Sequence, residues 1–271
     1  KPKTLVFDIS NMLHRTFYAN KNEDDITIAG LASHAALVTL NKYFVMHKPD
    51  KVVMAFDRPS WRKAYTASDK CVSKKAYKGN RRQDMTPKQE EKYRRFMEHI
   101  KAFEQMICEC TTIVTLFAKH LEADDMIGGY VQRFASDEQI IIISSDTDYL
   151  QFLKYDSVSV MSPATDKLQE LTEYDNDARL YLFAKCIRGD GTDNVQSAFP
   201  GVRMTRIKKA FSDPYELESM MNETWKMGDV EYRVGDLYAE NQILIDLEKQ
   251  PEDIRELLEW ALSESLEKPR K

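Results

Sequence analysis

The alternation of short β-rich runs with longer helix-spaced stretches is the feature that most constrains how this chain can fold. Four apolar runs rich in β-branched residues predict buried strands, at positions 4–9, 51–56, 111–116 and 139–144. Three stretches with apolar residues at helical spacing lie between them, at 29–47, 88–110 and 123–134. This order is typical of an α/β protein with a mainly parallel central sheet flanked by helices. An α/β core is therefore predicted over residues 1–165.

The second part of the chain has a different pattern. From about residue 173 the strand pattern fades, and four stretches have helical spacing, at 177–187, 214–221, 241–247 and 252–266. Pro214 and Pro251 stand where proline is favoured, at the start of a helix. A helical subdomain is therefore predicted over residues 166–271.

Composition limits the class of protein. With 39 Lys+Arg against 44 Asp+Glu, the net charge of -5 argues against a protein that simply coats nucleic acid. The four cysteines lack the paired spacing of a zinc site, and nothing indicates a secreted disulfide framework. No stretch approaches the roughly 20 apolar residues of a membrane span, and the N-terminus has no signal-peptide pattern. We expect a monomeric, cytoplasmic protein with no membrane partner.

One basic segment departs from this overall charge. Residues 58–95 contain thirteen Lys/Arg and four acidic residues, so the segment carries a net charge of +9 and the rest of the chain -14. Trp61, Tyr65, Tyr77 and Tyr93 are interleaved with the positive charges. A solvated helix face would explain the charge, whereas aromatic residues among Lys and Arg are also typical of single-stranded nucleic-acid binding. Composition leaves both interpretations open.

Acidic residues follow three of the predicted strands. Asp8 follows Leu-Val-Phe, Asp57 follows Val-Val-Met-Ala-Phe, and Asp146 and Asp148 follow Ile-Ile-Ile-Ser-Ser. The carboxyl ends of parallel strands share one edge of an open sheet, which is where ligands bind. These acidic side chains are therefore expected to meet at one site.

Two further acidic motifs extend this group. Glu122-Ala-Asp124-Asp125 opens a predicted helix, and Asp190 and Asp193 lie in Gly-Asp-Gly-Thr-Asp-Asn. Taken separately, the first is explained by favourable negative charge at a helix N-terminus and the second by a turn. Taken together, nine carboxylates at one sheet edge would repel one another unless cations neutralised them.

The chemistry of these ligands indicates the kind of ion. Oxygen ligands without His or Cys favour a hard cation, Mg²⁺ or Mn²⁺. Two such ions about 3.5–4 Å apart can activate a water and stabilise the leaving oxygen of a phosphodiester. Because the basic segment can hold phosphates, the sequence predicts metal-dependent phosphodiester hydrolysis.

Six motifs of this chain occur in the order and spacing of one known family. Between Asp8 and Asn194 they are Phe-Asp-Ile-Ser-Asn, Ala-Phe-Asp, Tyr-Lys-Gly-Asn-Arg, Glu-Ala-Asp-Asp, Ser-Ser-Asp-Thr-Asp and Gly-Asp-Gly-Thr-Asp-Asn. The chain thereby resembles the bacteriophage flap endonucleases and 5′-to-3′ exonucleases. The resemblance implies a PIN-like 5′ nuclease core, a helical arch within residues 58–95, and a C-terminal DNA-binding subdomain that completes the active site.

The resemblance also implies two or more divalent ions, Mg²⁺ with Mn²⁺ as a substitute. The first ion would be bound by Asp8, Asp57, Glu122 and Asp124. The second would be bound by Asp124, Asp146, Asp148 and Asp193, with Asp125 and Asp190 nearby through water. Asp124 would bridge the two ions, and Asp124 and Asp146 would be the catalytic carboxylates.

The arch implied by the resemblance has residues of its own. Tyr77, Lys78 and Arg81, with Arg82 beside them, would lie on a helix that a single-stranded 5′ end passes through or under. Lys78 and Arg81 would be catalytic contacts to the scissile phosphate, and Tyr77 would stack on an unpaired base. The spacing agrees, since residues three or four apart share a helix face. The alternative is a surface helix with an incidental tyrosine.

The family's helix-hairpin-helix, which grips duplex DNA, corresponds to residues 201–210. Met204 and Arg206 stand where the family pattern has its inner glycines, which disfavours close approach of backbone amides to a phosphate. Binding by charge would be more sensitive to salt. The candidate DNA-binding residues here are Gly201, Arg203, Arg206, Lys208 and Lys209.

The function implied is that of a structure-dependent 5′ nuclease acting on branched or 5′-ended DNA. RNA primers in RNA/DNA hybrids are a further candidate substrate, and replication proteins such as single-strand-binding protein or polymerase are candidate partners. A phage origin would place the protein in the host cell cytoplasm. The alternatives are the detached 5′-nuclease domain of a replicative polymerase, a PIN-type ribonuclease, and a non-catalytic DNA-junction-binding protein. The ribonuclease leaves Tyr-Lys-Gly-Asn-Arg unexplained, and the complete ligand set argues against the non-catalytic protein.

Overall fold

The computed structural model describes residues 1–81 and 85–268. The chain divides into two compact units, one containing residues 1–59, 85–169 and 256–268 and the other containing residues 60–81 and 170–255. The predicted boundary at 165/166 lies close to the change of unit between Gln169 and Glu170. The C-terminal residues from Glu256 nevertheless belong to the first unit, and the basic segment is divided between the two.

A six-stranded sheet forms the centre of the first unit. Its strands are β1 Lys3–Asp8, β2 Lys51–Ala55, β3 Val114–Leu116, β4 Gln139–Ile143, β5 Val158–Ser162 and β6 Lys167–Leu168. Their spatial order is β3-β2-β1-β4-β5-β6; the first five run parallel, and β6 is antiparallel to β5. The predicted α/β class and the four predicted strands are confirmed, whereas β5 and β6 were not predicted.

The α-helices in the described residues follow the predicted spacing in several places. They are α1 Ile9–Ala19, α2 Asp25–His47, α3 Trp61–Ala67, α4 Pro87–Cys110, α5 Ala123–Phe134, α6 Ala178–Arg188, α7 Met204–Ser212, α8 Pro214–Asn222, α9 Val234–Ile245 and α10 Glu252–Glu267. Helix α5 has its predicted bounds. Helix α4 begins one residue early, because Thr86 and Gln89 form a capping box around Pro87.

The core of the first unit explains why the strands are so apolar. Leu5 and Phe7 of β1 are fully buried against side chains of α1, α2 and α4. In that layer the rings of Phe17 and Phe96 lie 4.6 Å apart between centroids. A parallel strand is covered on both faces, so its sequence is a continuous apolar run rather than an alternating one.

The second unit is mainly helical, with an apolar core shared by α6, α7, α8 and α9. This unit also contains a hairpin, β7 Thr224–Met227 and β8 Val230–Arg233, which the fading strand pattern did not predict. Its residues are largely exposed, so they lack the apolar run of a buried strand. One correction concerns α9, which begins at Val234 rather than at 241.

In the described part of the chain, none of the helices combines the length and apolar character that a membrane span requires.

Candidate active site

The candidate acidic residues of the first unit lie where the parallel strands end. Asp8 is the last residue of β1, and Asp57 comes two residues after β2. Asp146 follows β4 and caps the 3₁₀-helix Thr147–Lys154 through the backbone N–H of Asp148. Since β2, β1 and β4 are neighbours in the sheet, these three strand ends are adjacent.

The carboxylate of Asp8 accepts three hydrogen bonds. Its Oδ1 accepts the backbone N–H of Asn11 at 3.0 Å, while its Oδ2 accepts the hydroxyls of Ser144 at 3.1 Å and Tyr149 at 3.0 Å. Burial, together with the negative charge of Asp57 and then of Asp146, raises the pKa of Asp8 to about 7. The carboxylates therefore lie close enough to repel one another, as the sequence predicts.

The N-terminus of α5 supplies a second group of oxygen atoms. One carboxylate oxygen from each of Glu122, Asp124 and Asp125 lies within 4.8 Å of the others. Asp125 Oδ2 accepts the backbone N–H of Glu122 at 3.0 Å, which closes a capping box. Asp57 Oδ1 accepts the N–H of Ala123 at 2.8 Å, so the end of β2 is tied to this turn.

Tyr149 lies close to both the strand-end carboxylates and the carboxylates at the N-terminus of α5. It was not among the predicted site residues. Its buried hydroxyl donates to Asp8, and burial together with the charges of Asp8, Asp124, Asp146 and Asp57 raises its pKa well above the usual value. Four carboxylates from different parts of the first unit therefore act on one side chain. The only sequence clue was its place directly after Ser-Ser-Asp-Thr-Asp.

This donor set fits a hard divalent cation. It offers carboxylate oxygens without His or Cys, and a bound cation would offset both the burial and the neighbouring negative charges that raise the pKa of Asp8. The first-unit residues predicted to hold ions are Asp8, Asp57, Glu122, Asp124, Asp125, Asp146 and Asp148.

The second unit has its own acidic loop, and Asp193 is surrounded there by three residues predicted to contact DNA. Tyr77 Oη donates to Asp193 Oδ2 at 2.7 Å, Arg81 Nη2 donates to Oδ1 at 2.6 Å, and Lys78 Nζ lies 3.6 Å from Oδ2. Asp190 accepts the backbone N–H groups of Thr192 at 2.8 Å and Asp193 at 3.3 Å.

The pKa of Asp190 is shifted in the opposite direction from that of Asp8. Burial alone would raise the pKa of Asp190, but Lys185 at 3.1 Å and the two backbone N–H donors outweigh burial and lower it. In this loop each carboxylate already has a cationic partner. The predicted ligands Asp190 and Asp193 are thus held by side chains of their own unit.

The predicted helix carrying Tyr77, Lys78 and Arg81 is wrong, because these residues form turns. Lys78 has a φ of 53°, and its N–H donates to the backbone oxygen of Asp193 at 2.8 Å instead of to a preceding turn. Tyr77 is buried with 3% of its surface exposed. Its stacking on an unpaired base stays a prediction, and Arg82 lies outside the described residues.

The candidate duplex-binding residues lie just before α7 and within it. Gly201 has a φ of 73°, and exposed Arg203 is the residue preceding the first turn of α7. The other three are paired with acidic side chains: Arg206 with Glu223, Lys208 with Asp175 at 2.7 Å, and Lys209 with Glu216. Phosphate binding by these cations, which would have to compete with those partners, stays a prediction.

Gly189 is required by the shape of the acidic loop, and its replacement tests that shape. Its φ is 72°, and a Cβ there would lie 2.6 Å from the backbone oxygen of Val195. Gly189→Ala should therefore lower the free energy of unfolding by about 2–4 kcal/mol in urea titrations. Gly201→Ala is the matched control, since Gly201 shares the positive φ but has open space, and about 1 kcal/mol is expected there. Equal losses in both variants would contradict the close packing.

The fold and the first-unit site together define an α/β protein with a candidate divalent-metal centre of the kind used for phosphodiester hydrolysis. The chain belongs to the 5′-3′ exonuclease family, because the family model for the 5′-3′ exonuclease N-terminal, resolvase-like domain matches residues 3–180. This confirms the family that the six motifs predicted.

Two curated relatives match parts of the chain. Ribonuclease H from Enterobacteria phage T4 is 28% identical over 149 residues, which is 49% of this chain and 45% of that protein. DNA polymerase I from Caldicellulosiruptor bescii is 30% identical over 219 residues, which is 77% of this chain and 24% of that protein. The chain therefore spans less than half the length of each.

Solved structures confirm the fold. The D15 protein of bacteriophage T5, co-crystallized with metal ions, has a TM-score of 0.74 at 19% identity, with 98% of each chain covered. The D15 flap endonuclease of the same phage, in a complex with DNA and metal ions, has a TM-score of 0.73 at 19% identity and the same coverage.

Proposed function

We propose that this chain is a structure-dependent 5′ nuclease that hydrolyses phosphodiesters near free 5′ ends of branched DNA. The observation that carries the proposal is the buried carboxylate cluster at the sheet edge, in a chain of the 5′-3′ exonuclease family. The metal ions and DNA in the complexes of the T5 flap endonuclease support the same chemistry and substrate class.

Mg²⁺ is the proposed ion, with Mn²⁺ as a substitute, and two such ions would supply water activation and stabilisation of the leaving oxygen. Asp8, Asp57, Glu122, Asp124, Asp146 and Asp148 would hold them, with Asp125 in support. Tyr149 and Ser144 orient Asp8 by donating to its Oδ2. The assignment of Asp190 and Asp193 to the second ion rests on the family resemblance.

The basic residues of the second unit would bind the substrate strand. Lys78 and Arg81 already bind a carboxylate, Asp193, and a phosphate offers the same kind of oxygen ligand. These cations would therefore contact the scissile phosphate and offset its developing charge. The proposal also includes RNA/DNA hybrids as substrates, replication proteins as partners and a host cytoplasm as the place of action.

Cleavage of a labelled 5′ flap beside a single-stranded RNA tests the proposal. We expect release of the 5′ flap strand in Mg²⁺, no release in EDTA, and no comparable cut in the RNA. Asp146→Asn should abolish cleavage while flap binding remains. Flap binding without cleavage in Mg²⁺ or Mn²⁺ would instead support a non-catalytic junction binder, and preferential cleavage of the RNA would support a PIN-type ribonuclease.

A further inference from the structure

Two consecutive polar residues of α9, Glu240 and Asn241, are buried although neither belongs to the apolar core or to the proposed chemistry. Their exposed fractions are 2% and 0%. Burying a carboxyl or an amide is costly unless its polar atoms are hydrogen-bonded. The hydrogen bonds of these two side chains therefore indicate why the second unit keeps them.

Glu240 holds the loop that carries Lys78 and Arg81, here called the basic loop (residues 68–81). Its carboxylate accepts the backbone N–H of Val72, and both of its oxygens lie 3.3 Å from the backbone nitrogen of Ser73. A charged acceptor makes such bonds stronger than neutral ones. Only four residues separate Ser73 from Lys78, so this attachment limits where the Lys78 side chain can lie.

Asn241, the next residue of α9, holds the acidic loop (residues 189–195). Its Nδ2 donates to the backbone oxygen of Cys186 at 2.8 Å and to that of Gln196 at 2.8 Å. These two acceptors flank the loop on both sides. The chain on both sides of the acidic loop is thus held by Asn241, the residue next to Glu240.

The two loops meet directly within the second unit. Besides the bond from Lys78 N–H to Asp193, the side chain of Asn194 donates to Ala76 O at 2.9 Å, and that of Asn80 donates to Gly191 O at 3.1 Å. Adjacent residues of α9 therefore anchor the basic loop and the acidic loop at a fixed separation.

We propose that Glu240 is a positioning residue that sets where Lys78 and Arg81 lie relative to Asp193. It acts through the backbone of the basic loop and touches no substrate. The consequence for cleavage rests on the proposed 5′ nuclease function, whereas the attachment of the loop does not. Removing the carboxylate should make residues 71–81 more mobile. Lys78 and Arg81 would then remain in the chain but no longer be held in position beside Asp193.

Hydrogen exchange and cleavage kinetics of Glu240→Ala test this role. Backbone amides in residues 71–81 should exchange at least about 10-fold faster than in the wild type. The kcat on a saturating flap substrate should fall about 10- to 100-fold with KM changed less than about threefold, because misplacement affects the reacting geometry more than binding. Exchange in the central sheet of the first unit should not change.

Two matched variants separate positioning from general damage. Glu240→Gln should restore exchange and kcat to within about threefold of the wild type, since one oxygen of Glu240 already accepts both N–H groups. Asp236→Ala removes an exposed carboxylate one turn earlier on α9 and should behave like the wild type. If Glu240→Ala does not fold, Val72→Pro replaces it as the test. Val72 is exposed, and proline there lacks the backbone N–H that Glu240 accepts, so the amides of residues 71–81 should again exchange faster.

The proposal is overturned if the basic loop exchanges at the wild-type rate in a folded Glu240→Ala or Val72→Pro variant. It is also overturned if Glu240→Gln behaves like Glu240→Ala, because the accepted hydrogen bonds would then not be the cause. A wild type that cleaves no flap would contradict the proposed nuclease function, and the exchange comparison alone would then decide whether Glu240 holds the loop.

Discussion

Asp8→Asn should make the metal-free protein more stable and at the same time reduce 5′-flap cleavage by at least about 1,000-fold, which corresponds to about 4 kcal/mol. Asn keeps the N-terminal cap of α1 and the size of the side chain, but it removes a buried negative charge beside Asp57 and Asp146. In EDTA at pH 8 the thermal midpoint should rise by about 3–8 °C.

The metal-free variant should be more stable than the wild type because the pKa of Asp8 is raised. A folded-state pKa of about 7 against the ordinary aspartate value of 3.8 means that the wild type loses stability as the pH rises between these values. Asp8→Asn should lack this loss, which thermal unfolding at pH 4 to 8 in EDTA would measure. Adding Mn²⁺ should stabilise the wild type more than the variant, which keeps the second-ion ligands but lacks one ligand of the first ion.

The control for Asp8→Asn is Asp137→Asn. Asp137 is an exposed aspartate of the first unit in the turn before β4, so its replacement should change neither stability nor cleavage measurably. An Asp8→Asn protein that is less stable than the wild type in EDTA would contradict the repulsion between carboxylates. Retained cleavage would contradict the metal site.

Lys78→Met should lower kcat on a 5′ flap by about 100-fold, the scale of losing one charged contact to the reacting group. Methionine keeps most of the aliphatic stem and removes the charge. Folding should be preserved, since Asp193 keeps its bonds from Tyr77 and Arg81. Single-turnover cleavage at saturating DNA would separate this loss from weaker binding.

Lys63→Met is the matched control for Lys78→Met. Lys63 is an exposed lysine of α3 in the same basic segment. If Lys78 contacts the scissile phosphate, the control should keep its kcat and lose only a little affinity, with a smaller salt dependence. Equal losses of kcat in the two variants would show that the basic segment acts only through its total charge.

The fold could be predicted from the sequence mainly where burial is complete. Strands β1, β2 and β4 are continuous apolar runs, and α5 combines apolar spacing with an acidic first turn, so both patterns are unambiguous. The exposed hairpin β7–β8 has no such pattern, because polar and aromatic residues alternate on a small two-stranded sheet. The hairpin is recognised by the backbone pairing of β7 with β8 and not by buried apolar residues.

The candidate site was predictable to the extent that it follows from strand ends. Asp8, Asp57 and Asp146 converge because parallel strands end on one edge, which topology alone dictates. The conformation of Tyr77 to Arg81 was not predictable in this way. Lys78 bonds Asp193, a residue more than a hundred positions away, and this contact replaces the helix that local spacing suggested. Tyr149 was missed for the same reason, since its role depends on which carboxylates surround it.

A crystal structure of the protein soaked with Mn²⁺, with ions located by anomalous scattering, tests most directly whether the carboxylate cluster is a metal centre. We expect two peaks about 3.5–4 Å apart, with ligands drawn from Asp8, Asp57, Glu122, Asp124, Asp146 and Asp148. Saturating Mn²⁺ that leaves these oxygens without a bound ion, or that binds only at exposed carboxylates elsewhere, would contradict the metal centre.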